Sequence, residues 1–235
     1  MRALLLGIAV IASVTMAAQA QPCCGPITPA GERLAHLLDG SDVMQRWLAG
    51  WHIDWRTGEK DRAEPGGKAA KTYCSAFVAA MAARLGAYVL RPPEHKQELL
   101  ANAQMRWLRD HGAEYGWRML PSPFEAQTAA NRGELILEAF ENPDPRRPGH
   151  IAIIRPSLKT RAELNRDGPQ EIQAGEQSAI DITTASGFRH HPGAWEPGGA
   201  GELRYYSHAV TWPSGRATPS VIPAQAGIQY TGETS

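Results

Sequence analysis

Three residues of this sequence have the types and the setting that cysteine-based acyl transfer needs. Cys74 begins a stretch, "CSAFVAAMAARLG", whose apolar residues recur at helical spacing, which predicts an amphipathic helix. A cysteine in the first turn of a helix lies beside free backbone N–H groups and the positive end of the helix dipole. Both stabilise a thiolate and lower the pKa of the thiol. We therefore predict that Cys74 is a nucleophile and that its own N–H helps to bind an oxyanion.

His150 and Gln173 are the predicted partners of this thiol. His150 opens the β-branched run "HIAII", a predicted strand, and an imidazole there can take the thiol proton and later protonate the leaving amine. Gln173 lies in the next predicted strand, "QEIQAG", where its amide oxygen can accept a hydrogen bond from the imidazole. Glu171 lies two residues earlier on the same face of that strand and is the alternative third residue.

Other residues are candidates for supporting roles. Tyr73 and Ser75 flank the cysteine and, together with Trp55, are candidates for the oxyanion site or a groove wall. Trp47, Trp51 and Trp55 are spaced by four and would form one stripe if a helix beginning near residue 41 continues that far. Such a stripe is more often core packing than a substrate contact.

A histidine-rich loop and the last strand raise the question of a metal site. His190, His191 and His208 could join Glu196, but their uneven spacing fits no standard zinc pattern. We therefore predict neither a metal nor another cofactor.

The order of predicted elements indicates the fold class. Apolar periodicity predicts helices over residues 31–40, 42–51, 74–85, 94–110 and 122–133, with residues 56–68 as a loop. Short β-branched or alternating runs predict strands over residues 134–140, 150–156, 170–175 and 202–210. Helices followed by strands favour an α+β domain, with N-terminal helices packed on a small antiparallel sheet.

The two ends of the chain carry signals of a different kind. Residues 1–20 combine a basic start, an apolar run and an Ala-Gln-Ala cleavage site, which is typical of a secretory signal peptide. We expect a soluble, secreted or periplasmic monomer with no stable membrane insertion. Residues 21–69 form the N-terminal helical region and loop, residues 70–212 the main domain, and residues 213–235 an aperiodic, disordered tail.

Charge and cysteine content exclude some classes of protein. Without residues 1–20 the formal charge is about −1, which gives no electrostatic reason to bind nucleic acid. Three cysteines do not make a disulfide framework. The adjacent Cys23 and Cys24 are more simply part of a flexible N-terminus than a redox or metal site. If they pair with each other, Cys74 remains alone.

The order of these motifs resembles the papain-like cell-wall hydrolases of the NlpC/P60 and CHAP families. "TYCSAFV" is similar to their cysteine segment, "PGHIAII" to their Gly-His segment, and "EIQAG" occupies the place of the third polar residue. The resemblance spans about residues 70–210. Tyr73 stands where NlpC/P60 members usually have aspartate, and Gln173 where they often have histidine or asparagine.

The resemblance implies a function and a site. It implies a papain-like fold and cleavage of a peptidoglycan amide, as a stem-peptide endopeptidase or an amidase, through a thioester on Cys74. His150 would be the base and then the acid, and Gln173 the orienting group. The alternatives are a non-catalytic cell-wall binding module on the same fold and a lipid acyltransferase or thioesterase.

Overall fold

The structure is a computed structural model that describes residues 21–65 and 72–213. The predicted signal peptide lies outside the described residues, as does all of the predicted tail after Pro213. The helices are α1 (Pro29–Asp39), α2 (Cys74–Arg84), α3 (Leu100–Asp110), α4 (Pro123–Asn131), α5 (Arg161–Asp167) and α6 (Thr184–Gly187). The strands are β1 (Trp51–Ile53), β2 (Lys60–Ala63), β3 (Trp117–Leu120), β4 (Leu135–Phe140), β5 (His150–Ile154), β6 (Gln170–Gln173), β7 (Ala179–Thr183) and β8 (Arg204–His208).

A six-stranded sheet is the centre of the fold. Its strand order is β3-β8-β4-β5-β6-β7, and every neighbouring pair is antiparallel. The strands β1 and β2 form a separate antiparallel hairpin. This arrangement of helices around an antiparallel sheet confirms the predicted α+β class.

Each face of the sheet covers its own hydrophobic core. Side chains alternate along β4, so that Leu135, Leu137 and Ala139 face the core that contains α2. Ile136 and Phe140 face a second core, which contains the buried alanines of α4. The two faces therefore place α2 and α4 on opposite sides of the sheet.

Helix α2 is more deeply buried than an amphipathic pattern predicts. All nine residues from Cys74 to Ala82 are buried, because the sheet covers one side of the helix and the N-terminal region covers the other. The Trp47 ring, for example, packs edge-on against Phe77 with the ring centroids 5.2 Å apart. The alanines of α2 let these layers approach closely. Cys74 is therefore a buried residue, 5% exposed.

Several predicted elements differ from the observed ones. Residues 42–50 form turns and bends and not a helix, because Asp42 and Trp47 have positive φ angles of 58° and 50°, and Trp51 already belongs to β1. Trp47 donates to the Trp55 carbonyl at 3.0 Å, so the tryptophans do not form a helical stripe. The helix predicted from residue 94 begins at Leu100, after Leu99 in the left-handed conformation. The predicted loop 56–68 includes β2.

The prediction of a flexible N-terminus is also wrong. Cys23 and Cys24 form a disulfide with each other, and Cys24 is buried. The backbone N–H of Cys23 donates to the Lys159 carbonyl at 3.0 Å, and Pro22 bridges to Thr160. This segment is thus fixed to the chain that follows β5.

The buried side chain of Asn131 explains how that segment is held. Its Oδ1 accepts from the Ser157 N–H at 2.9 Å, and its Nδ2 donates to the carbonyls of Ser157 and Gly25 at 3.0 and 3.1 Å. One amide at the end of α4 therefore joins the N-terminal segment, α4 and the chain after β5.

Replacing Asn131 by alanine should lower the free energy of unfolding by about 2–4 kcal/mol, because it leaves buried backbone groups without partners. Urea denaturation measures this change. Asn165→Ala, an exposed site on α5, is the matched control and should stay within about 0.5 kcal/mol of the parent. Equal effects of the two substitutions would contradict the role of Asn131.

Candidate active site

A buried hydrogen bond joins the first residue of β5 to the last residue of β6. His150 Nε2 and Gln173 Oε1 are 2.5 Å apart. Gln173 Nε2 donates to the Gln177 carbonyl at 3.0 Å, which fixes the orientation of the amide and leaves its oxygen for the imidazole. His150 Nε2 is therefore the donor, and the neutral ring carries its lone pair on Nδ1.

Two aromatic rings enclose this imidazole. The Phe188 ring meets His150 edge-on with the centroids 4.7 Å apart, and His191 stacks on it at 5.2 Å with an interplanar angle of 9°. Burial lowers the pKa of His150 to about 4, helped by the nearby His191 and opposed by the hydrogen bond to Gln173. His150 is thus neutral at physiological pH.

Cys74 lies beside the start of β5. It is the first residue of α2, and the backbone N–H of Ile151, the residue that follows His150, is close enough to act against the rise in the pKa of its thiol. Cys74 belongs to the core on the α2 face, whereas the Phe188 that packs on His150 belongs to the other core. The two candidate catalytic residues therefore reach the start of β5 from different faces of the sheet.

The charge state of Cys74 differs from the sequence prediction. Burial raises the pKa of the Cys74 thiol, and the backbone hydrogen bonds from Ile151, Ser75 and Cys74 itself act against this rise without cancelling it. Within the described residues no side-chain hydrogen bond joins Cys74 to His150. The resting pair is consequently a neutral thiol and a neutral imidazole. The lowered pKa predicted from the position of the helix is wrong.

A cleft of about 890 Å³ opens beside the imidazole. Tyr73, His150 and Gln173 line it, whereas Cys74, Ser75 and Trp55 do not. Its remaining walls are mostly polar and come from the loops around residues 96–99, 146–149, 175–177 and 187–191, with His52 and Thr72. The predicted loop 189–201 thus supplies one wall of the cleft.

The three residues proposed for supporting roles lie in different places. Tyr73 lines the cleft, and its hydroxyl donates to the Trp51 carbonyl. Burial, followed by the charge of Glu64, raises the pKa of Tyr73 to about 12. Ser75 is buried, with its carbonyl accepting from Gln104 Nε2 at 3.0 Å. Trp55 borders a separate pocket and does not line the cleft, so the prediction of a groove wall at Trp55 is wrong.

Glu171 is occupied by another partner. It is fully buried beside Glu138 of β4, whose Oε2 accepts from Thr184 Oγ1 at 2.8 Å. Burial raises the pKa of both carboxyls, and that of Glu171 rises further through the charge of Glu138. The two groups form a proton-sharing pair. Gln173 is therefore the side chain that bonds His150, and Glu171 is not.

Sequence reasoning missed the residue that holds the loop in front of His150. Asn102 is buried in α3. Its Oδ1 accepts from the Asn142 N–H at 3.0 Å and its Nδ2 donates to the Arg147 carbonyl at 2.9 Å. An added Cβ at Gly149 would collide with Asn102 and with the Phe140 carbonyl. The sequence did contain one signal for this role, namely the polar Asn102 on the otherwise apolar face of α3.

The histidines considered for a metal site do not come together. His191 stacks on His150, whereas His208 Nε2 lies 3.1 Å from the Tyr115 carbonyl. Over residues 21–65 and 72–213, no three side chains of the His, Cys, Asp or Glu type are placed to hold a metal ion. The absence of a cofactor stays a prediction.

The buried thiol should react slowly. With iodoacetamide at pH 6–7, Cys74 should be alkylated more slowly than free cysteine, and the rate should rise with pH beyond pH 8.5 because the pKa of the thiol is raised. Mass spectrometry of quenched time points gives the rate, and free cysteine is the control. Alkylation of Cys74 at pH 6 faster than that of free cysteine would mean a stabilised thiolate.

The carboxyl pair should make stability depend on pH. A carboxyl whose pKa is raised in the folded state stabilises the fold below its unfolded pKa, and this is lost as pH rises through the folded value. Glu171→Gln removes that titration, so its stability relative to the parent should increase from pH 5 to pH 9 in urea denaturation. The exposed Glu202→Gln should show no such trend. A parallel pH dependence of Glu171→Gln and the parent would rule out the shared proton.

Comparison with protein-family models and with curated proteins gave no match to the chain. Among the described residues, no helix is both long and apolar enough to cross a membrane. The chemistry assigned to the site therefore rests on the residues themselves: the thiol of Cys74, the oriented imidazole of His150 and the amide of Gln173.

Proposed function

We propose that the protein is a secreted or periplasmic cysteine hydrolase that cleaves an amide bond of peptidoglycan. One observation carries the proposal: a buried imidazole, held by Gln173 with Nδ1 unprotonated, begins the strand whose second residue, Ile151, has a backbone N–H close enough to lower the pKa of the Cys74 thiol. A neutral imidazole with an unprotonated ring nitrogen and a thiol near the start of the same strand are the two groups that acyl transfer to cysteine requires.

The proposed fold is papain-like. A helix that begins at the cysteine packs on an antiparallel sheet, one strand of that sheet begins with the histidine, and the next strand ends with the third polar residue. The NlpC/P60 and CHAP families, which the motifs resemble, have this order of elements. The resemblance and the predicted signal peptide support a cell-wall substrate.

The chemistry follows from the neutral pair. His150 Nδ1 takes the thiol proton as Cys74 sulfur attacks the carbonyl carbon of the amide, and the backbone N–H groups at the start of α2 face the developing oxyanion. The imidazolium then protonates the leaving amine, and a thioester remains on Cys74. Water, deprotonated by His150, hydrolyses the thioester and releases the thiol. Gln173 holds the ring in one tautomer throughout.

The residue types that line the cleft offer a polar substrate many hydrogen-bond partners. Apart from glycines, its non-polar lining is limited to Tyr73, Leu99 and Pro148, and the other lining residues are charged, amide, hydroxyl or imidazole side chains. A peptide or glycan chain finds hydrogen-bond partners there, whereas an acyl chain needs a predominantly apolar wall.

A non-catalytic cell-wall binding module is the second candidate. It is favoured by the burial of Cys74, the raised pKa of its thiol, and its absence from the residues that line the cleft. In that case the cleft would hold the wall polymer and the thiol would be a small core side chain.

Digestion of purified sacculi separates the two candidates. The parent protein should release soluble fragments whose masses identify the bond cut, and Cys74→Ala and His150→Ala should release none. Gln173→Ala should lower the rate about 10- to 100-fold, since a mispositioned base costs rate of this order. Glu171→Gln should stay within about threefold of the parent, because Glu171 does not contact His150.

Binding to the same sacculi, measured by co-sedimentation, completes this test. Equal binding by the parent and Cys74→Ala, with no fragments from either, would establish the binding module and exclude the hydrolase. Fragment release by Cys74→Ala equal to that of the parent would move the chemistry to another residue.

A further inference from the structure

A second, shallow pocket of about 420 Å³ lies apart from the cleft. It is lined by Trp55, Arg56, Thr57, Ala80, Ala83, Arg84 and Arg91. Ala83 and Arg84 end α2, whereas Cys74 begins it. Ten residues of helix separate the two places by about 15 Å along the helix axis. The pocket is therefore distinct from the proposed catalytic cleft.

Aromatic rings hold two of its guanidinium groups. The Arg56 guanidinium lies 4.6 Å from the centre of the Trp55 ring, and that of Arg91 lies 5.5 Å from the same ring. Arg91 also lies 4.9 Å from the Tyr88 ring. A guanidinium placed over a ring face keeps its N–H groups directed outward along the guanidinium plane. These groups remain available for an oxyanion.

The third guanidinium, that of Arg84, lies in an unfavourable electrostatic setting. Burial lowers its pKa, and the neighbouring charge of Arg46 lowers it further, while Asp42 acts in the opposite direction. Arg84 also lies 5.7 Å from the Trp47 ring. An anion in the pocket would offset the repulsion between Arg84 and Arg46.

Three nearby carboxylates have hydrogen-bond or ion-pair partners outside the pocket. Asp42 and Glu59 pair with Arg46 at 3.8 and 3.4 Å. Asp54 Oδ1 accepts from two backbone N–H groups of its own turn, at 2.8 and 2.9 Å. Of the residues that line the pocket, none is acidic.

Among the described residues, the three pocket arginines also lack salt-bridge partners. Across residues 21–65 and 72–213, Arg56, Arg84 and Arg91 form no salt bridge. Three cationic groups thus border one concave surface that no carboxylate lines.

We propose that Arg56, Arg84 and Arg91 form a binding site for a phosphate group, carried either by a small anion or by a phospholipid headgroup. Guanidinium groups match the geometry of phosphate oxygens and bind them with paired N–H donors. Several such groups around one concavity favour a multiply charged phosphate over a single carboxylate. This site does not depend on the proposed hydrolase function.

Titration of the full chain with pyrophosphate at low ionic strength tests the site. Isothermal titration calorimetry should show saturable binding to the parent, and Arg84→Gln and Arg91→Gln should each weaken it at least about tenfold. Arg118→Gln, which changes an exposed arginine on β3, is the matched control and should leave the affinity unchanged. Thermal unfolding followed by circular dichroism verifies that each variant is folded, and Arg56→Gln tests the third arginine.

Vesicles distinguish the two sources of phosphate. Co-sedimentation with phosphatidylglycerol vesicles that depends on Arg84 and Arg91, and that pyrophosphate inhibits, would identify a lipid headgroup. Binding of pyrophosphate without binding of vesicles would identify a small anion. The proposal is overturned if the parent binds neither, or if Arg84→Gln and Arg91→Gln bind as tightly as Arg118→Gln.

Discussion

The hydrogen bond between His150 and Gln173 is the constraint on which the rest of the site depends. It requires β5 and β6 to be neighbours in the sheet, and their antiparallel pairing at Ile153 and Ile172 provides this. It also requires the amide to be fixed, which the Gln177 carbonyl achieves. Because this bond occupies Nε2, the chemistry of the ring is left to Nδ1.

Burial, and not the helix dipole, decides the charge state of the pair. The dipole and free N–H groups at a helix start contribute about 0.3–1 kcal/mol at an exposed site and up to about 2 kcal/mol when partly buried. Withdrawing a charge from water costs several kcal/mol. Cys74 and His150 are both buried, so the larger effect raises the pKa of the thiol and lowers that of the imidazole. In the proposed reaction, proton transfer from Cys74 must therefore accompany the attack of the sulfur, because no thiolate is present beforehand.

Local patterns in the sequence predicted the elements that carry the candidate residues better than they predicted the surroundings of those residues. Helix α2 and strands β4, β5, β6 and β8 have clear apolar periods, so Cys74, His150 and Gln173 could be placed on their elements. The partners that decide their chemistry come from distant parts of the chain. Glu138, which pairs with Glu171, lies on β4, and His191, which stacks on His150, lies in a loop without periodicity.

In the N-terminal region, too, contacts between distant residues outweigh the local sequence pattern. Tryptophans at spacings of four predict a helix, but Trp47 has a positive φ and its indole N–H bonds the Trp55 carbonyl, so tertiary packing outweighs the local pattern. Strand β7 alternates isoleucine with polar residues but buries neither face, and it is ordered by pairing with β6. Burial therefore gives this strand no strong apolar pattern in the sequence.

Nitrogen-15 NMR of the imidazole of His150, recorded from pH 3 to pH 8, tests the central constraint most directly. We expect a proton on Nε2, a bare Nδ1, and protonation of the ring only near pH 4. A proton on Nδ1, or a titration near pH 6.5 unchanged by Gln173→Ala, would show that the amide does not hold the ring. The proposed site would then lose its general base.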